Sequence, residues 1–202
     1  MRTTLLVAIL AVAWAGPAMA QSAPVEKATS LAVTGGVSNT DRDTGAVFGG
    51  SARWEFTANL ALEGTGRWLD RGTHPDAWAA EVAAVVGLGG RRDSVMPYLV
   101  GGLGVHRRTF HTGAGPALPE FYGRRVRASA NPIADQVTFT DPTFVVGTGM
   151  ELPLSRTVVV RPDVRALLVR GDGRGDTVVV ATVSLGFRFE HKPVTPARRP
   201  LP

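Results

Sequence analysis

Thr157-Val158-Val159-Val160-Arg161-Pro162-Asp163-Val164-Arg165-Ala166-Leu167-Leu168-Val169 is the stretch that decides the fold. Side chains alternate faces along a strand, so its two parities separate. One face carries Val158, Val160, Pro162, Val164, Ala166 and Leu168. The other carries Thr157, Val159, Arg161, Asp163, Arg165 and Leu167, with a plus, minus, plus row at mid-strand. Opposite charges buried in mid-strand behind a wholly apolar face point to a polar enclosed interior and an oily exterior. A barrel that crosses a membrane on strands has that layout.

The same parity recurs outward from this strand. In 44–56 the apolar set Phe48, Gly50, Ala52, Trp54 and Phe56 opposes Ser51, Arg53 and Glu55. In 58–70, Leu60, Leu62, Gly64, Gly66 and Trp68 oppose Glu63, Thr65 and Arg67. In 142–152, Phe144, Val146, Thr148, Met150 and Leu152 oppose Gly147, Gly149 and Glu151. In 176–189, Val179, Ala181, Val183, Leu185, Phe187 and Phe189 oppose Thr182, Ser184, Gly186 and Arg188. The Ala-rich 77–89 stretch tolerates a short helix, but Trp78, Ala80, Val82, Ala84, Val86 and Leu88 share one parity and Glu81 takes the other. With 30–39, 95–109 and 156–170 these make about eight strands, the smallest usual closed membrane barrel. Several run longer than the usual soluble strand.

Alternation alone fits a soluble lipocalin-like barrel with its apolar face inward and an apolar ligand at its centre. The aromatics favour the opposite assignment. In an up-and-down meander Phe48, Trp68, Trp78 and Phe144 gather at one end, and Trp54, Phe56, Phe187 and Phe189 at the other. Gly, Ala, Val, Leu and Met lie between them, as between two lipid–water interfaces. Connections add to this. The links 56–58, 89–94 and 152–156 are short, whereas 40–43, 70–76, 110–141 and 170–175 are more variable and one is very long. Short periplasmic turns and longer outer loops are the membrane-barrel asymmetry. The expected fold is therefore all-β, an up-and-down antiparallel transmembrane β-barrel of about eight strands.

The rest of the chain fits export. Arg2, the apolar Leu5 to Trp14, and Ala18-Met19-Ala20 form the three regions of a secretory signal peptide over 1–20. Residues 21–29 read as a periplasmic lead, 30–189 as the barrel, and 190–202 as a Pro-rich basic periplasmic tail, extended and mobile. The 202-residue chain holds no Cys, which excludes disulfides and thiolate chemistry. Its formal charge of +5 is modest, and its basic residues are scattered without a phosphate loop, so no nucleic-acid partner is expected.

Given this layout the chain resembles the small outer-membrane β-barrel domain family, the OmpA/OmpX-type barrels. The residues carrying the likeness are the signal peptide and three strands: Pro97-Tyr98-Leu99-Val100-Gly101-Gly102-Leu103-Gly104, Val145-Val146-Gly147-Thr148-Gly149, and Val183-Ser184-Leu185-Gly186-Phe187-Arg188-Phe189. The resemblance covers about residues 30–189. It implies residence in the bacterial outer membrane, contact with its lipids and lipopolysaccharide, insertion by the barrel assembly machinery, and a monomer. Members often end at the aromatic residue of the last strand; here the tail follows Phe189.

The candidate interior network is Arg53, Glu55, Glu63, Arg67, Glu81, Glu151, Arg161, Asp163, Arg165 and Arg188. A barrel of about eight strands is only just wide enough for its own side chains, so these charges are expected to fill it as salt bridges rather than line a pore. Arg124, Arg125 and Arg127, beside Phe121 and Tyr122 in the long loop, are candidates for contact with lipopolysaccharide phosphates. Arg170-Gly171-Asp172-Gly173-Arg174-Gly175-Asp176 reads Arg-Gly-Asp twice, and turn chemistry explains the same residues. His74, His106, His111 and His191 show no paired metal spacing. His106 and His111 flank the outer end of the fifth strand with no Ser or acid nearby in sequence. No catalytic residue, cofactor or metal is expected, and the role is structural or surface interaction.

Overall fold

The computed structural model describes residues 28–40, 44–71, 74–89, 95–111, 136–171 and 174–190. Eight strands follow one another: β1 (Ala28–Asn39), β2 (Thr44–Glu55), β3 (Leu60–Arg71), β4 (His74–Gly87), β5 (Met96–His111), β6 (Gln136–Pro153), β7 (Val158–Gly171) and β8 (Arg174–Glu190). Each pairs antiparallel with the next, and β1 closes on β8 from Ala28 against Glu190 to Asn39 against Val179. Closure leaves the barrel wall without a free edge, which matters for long strands rich in Val and Leu.

Residues 77–87 of the Ala-rich stretch form the body of β4. Its inward Ala77, Ala79 and Ala83 are buried, and its outward Val82 and Val86 are exposed. Apart from β6, which starts six residues earlier than expected, the strands begin and end within three residues of the expected bounds. The first starts at Ala28, two residues inside the expected lead, and Phe56 lies just past β2, in the turn where its N–H donates to the Leu60 carbonyl at 2.9 Å.

Two expectations about connections are corrected. First, 110–141 is not all loop. β5 runs to His111 and β6 starts at Gln136, pairing Phe110 with Val137 and His106 with Asp141. β6 pairs with β7 only from Thr143 onward, so these outer residues rise as a hairpin beyond the β6–β7 ladder. Second, the loop asymmetry rests on that connection alone. β3 ends at Arg71 and β4 begins at His74, and Gly171 pairs with Arg174. Both links are as short as the turns at the other end.

Small residues let the wall close around its contents. A Cβ at Gly149 would lie 2.6 Å from the Tyr98 ring and 2.7 Å from the Asp163 Cβ. A Cβ at Gly147 would lie 2.8 Å from the Arg165 side chain. Glycine is needed there for close approach.

Candidate functional site: the charged interior and apolar exterior

The parity read from 157–169 holds in three dimensions. Arg161, Asp163 and Arg165 are buried inside, while Val164 is 48% and Val183 56% exposed. The inverted assignment required for a central apolar ligand is therefore excluded by side-chain direction.

All ten charged residues expected inside are joined in one network. Glu63 on β3 accepts from Arg53 Nε of β2 at 2.9 Å and from Arg165 Nη2 of β7 at 2.6 Å. Glu151 on β6 accepts from Arg53 Nη1 at 3.2 Å and Arg161 Nε at 3.0 Å, and it pairs with Arg188. Arg188 also reaches Glu55 at 3.4 Å. Arg165 meets Asp163 at 2.9 Å and Glu81 at 3.5 Å, and Glu81 pairs with Arg67. Arg53, Arg67, Arg161, Arg165 and Arg188 balance Glu55, Glu63, Glu81, Glu151 and Asp163, so the network is formally neutral. Neutrality suits burial, since a lone charge there would be left without compensation.

Neutral polar groups extend the network. Thr182 Oγ1 donates to Asp163 at 2.8 Å, Arg161 Nη2 donates to Ser30 at 2.9 Å, and Thr34 and Ser184 hydroxyls meet at 2.7 Å. Sequence reasoning missed Tyr98 as part of it. The Arg53 guanidinium sits 5.0 Å from the centre of the Tyr98 ring, and the ring occupies the space beside Gly149. Its signal was parity, because Tyr98 and Val100 fall on the inward set of β5.

The interior is not polar throughout. Val47, Leu69, Leu167, Val169, Val178 and Val180, on the loop-end halves of their strands, belong with Val145 to an apolar cluster that continues past Ala83 and Val100 to Ala61 and Val85. Beyond it, on the inward face of the β5–β6 hairpin, lie buried His106, Arg108, Asp141 and Thr143. The acid opposite His106 that was lacking in sequence thus comes from β6. Among the described residues no group of three or more His, Asp or Glu is placed to hold a metal ion.

The exterior is apolar in a broad band. Phe48, Trp68 and Trp78 stand in register on β2, β3 and β4, and Phe144 lies toward the same end on β6. Trp54, Phe187 and Phe189 occupy the opposite end with Phe56 beside them, and all eight rings are substantially exposed. Leu31, Val33, Leu62, Val82, Leu103, Val146 and Leu185 lie exposed on the same outward face. A shallow exterior groove of about 600 Å³ runs where side chains are small, past Gly35, Ala181 and Pro162, rimmed by Val37, Val164 and Met150. Pro162 lacks an N–H, and ladder pairing of β6 with β7 skips from Gly149–Asp163 to Leu152–Val160.

Arg124, Arg125 and Arg127 lie outside the described residues, as do 1–20, most of the lead, and the tail past Glu190.

No protein-family profile matches the chain, and no curated protein matches it in sequence. Solved structures match in shape. The N-terminal β-barrel domain of Pseudomonas aeruginosa OprF superposes with a TM-score of 0.59 at 13% identity, over 82% of this chain and 99% of that one. Neisserial surface protein A gives 0.55 at 13% identity, over 82% and 97%. Ail, the attachment invasion locus protein of Yersinia pestis, gives 0.50 at 14% identity, over 82% and 99%. With a closed eight-stranded meander, a charged interior and an apolar exterior already in place, these likenesses identify the fold as that of the small eight-stranded outer-membrane β-barrels.

Proposed function

We propose that this chain is an integral protein of the bacterial outer membrane, a monomeric barrel with a structural or surface-interaction role and a packed, non-conducting interior. One observation carries this reading: ten charged side chains meet inside as one salt-bridged network, while eight aromatic rings and a broad aliphatic band face outward. Water would reject that arrangement, because the exposed apolar band far exceeds the patches that monomeric soluble proteins tolerate. Hydrocarbon favours it, with each ring row at a headgroup interface.

The packed interior also supports a role other than transport. Glu63 and Glu151 together draw arginines from β2, β7 and β8 toward the axis, and Val47, Leu69, Leu167 and Val180 are buried toward the loop end. In this reading the barrel is a membrane anchor, and what it presents outside is the outer part of the β5–β6 ladder. The chain is not an enzyme in this account. Export through the N-terminal signal peptide and insertion by the barrel assembly machinery belong to the same proposal.

The test is refolding of the mature chain into lipid vesicles. A folded barrel migrates faster on a gel before boiling than after, and trypsin trims it only at its loops. A detergent-free soluble monomer would overturn the reading.

A further inference from the structure

The outward face changes character sharply along β5 and β6. Leu103 stands beside Phe144 and Val105 beside Pro142; the next outward pairs are Arg107 with Thr140 and Thr109 with Thr138. The Thr109 and Thr138 hydroxyls meet at 3.0 Å. The apolar exterior therefore ends between Val105 and Arg107. The aromatic row marks the same level, since Arg107's partner on β4 is Trp78, followed by Trp68 and Phe48.

β7 makes the same change. Outward Leu168 is followed by outward, exposed Arg170. Thr143 pairs with Val169, and continuing that register by one residue sets Arg170 beside Pro142. Arg107 and Arg170 are thus two strands apart and offset by two residues, about 10 Å across the sheet and about 7 Å along it. Thr140 lies between them on the same face. Every described acid on these strands, Asp141, Glu151 and Asp163, is buried on the inward face.

Two exposed guanidinium groups at the edge of an apolar surface call for a ligand with two separated anions above hydrocarbon chains. Guanidinium matches phosphate by paired N–H donors. A single-phosphate glycerophospholipid such as phosphatidylglycerol offers one phosphate, enough for one arginine. The outer-leaflet glycolipid offers two, at opposite ends of a disaccharide. We propose that Arg107, Thr140 and Arg170 hold the headgroup of a diphosphorylated glycolipid, one phosphate at each arginine. Its sugars cross Thr140 and Pro142, and its acyl chains descend over Val105, Phe144 and Leu168. This rests on the reading that the barrel sits in the outer membrane with its loop end outward.

Native mass spectrometry of the refolded mature chain, titrated with diphosphoryl lipid A, monophosphoryl lipid A or phosphatidylglycerol, tests it. Diphosphoryl lipid A binds about tenfold more tightly than either competitor, the ratio for one charge-assisted contact. Arg107→Gln or Arg170→Gln removes that advantage. Arg156→Gln, at an exposed turn at the opposite end, leaves it intact. Wild-type affinity in the Arg107→Gln/Arg170→Gln double variant, or phosphatidylglycerol binding as tightly as diphosphoryl lipid A, overturns the site. A chain that does not fold in vesicles overturns the membrane reading and this site with it. A folded barrel without lipid preference overturns the site alone.

Discussion

Arg165 on β7 and Glu63 on β3 stand on opposite walls of the barrel, and their side chains meet at 2.6 Å. That contact spans the interior. Glu63 also holds Arg53, which continues to Glu151, so one chain of charges ties β2, β3, β6 and β7 together across the axis.

Removal of either shared carboxylate should be costly. Glu63→Gln or Glu151→Gln leaves at least two buried arginines short of a partner. Loss of one partner of a buried pair costs about 3–5 kcal/mol. Urea unfolding in vesicles should show a drop of that order, whereas Glu55→Gln, at the rim, should cost much less.

A second prediction concerns the close approach at Gly149. Alanine there drives its Cβ into the Tyr98 ring and the Asp163 side chain. Overpacking of this kind costs about 1–3 kcal/mol. Gly149→Val should sharply lower the yield of the fast-migrating form. Gly64→Ala, on the open outward face with no atom within 4 Å, should fold like the parent.

How much of this was legible in the sequence follows the same geometry. Parity was readable wherever one face is charged and the other apolar, as at Arg161, Asp163 and Arg165. It was silent where both faces are apolar. Val145, Leu167, Val178 and Val180 fill the interior, yet nothing in their residue types separates them from outward Val146, Leu168, Val179 and Ala181. The outer end of β6 was read as loop for a related reason. Before Pro142 the outward face meets no apolar surroundings, so Thr138 and Thr140 erase the alternation although the ladder continues. His106 and Asp141 became neighbours only through that ladder.

An interior packed in this way should not conduct. In planar bilayers the wild-type barrel should give no steps above baseline at high protein load. Steady ohmic steps would favour a narrow pore.

The exterior gives the third stability prediction. Val183 is more than half exposed, and in a water-soluble protein an arginine there would be nearly neutral. Facing mid-bilayer, Val183→Arg should cost about 2–4 kcal/mol. Unfolding in vesicles measures the difference.

The direction of the side chains underlies every property described above, and the chain's lack of cysteine makes it directly measurable. Single cysteines placed at 180 through 185 on β8, labelled with a fluorophore and reconstituted with nitroxide-bearing lipids, report which positions touch hydrocarbon. Strong quenching is expected at 181, 183 and 185 and weak quenching at 180, 182 and 184. The reverse pattern, or uniform quenching along the strand, would contradict that direction.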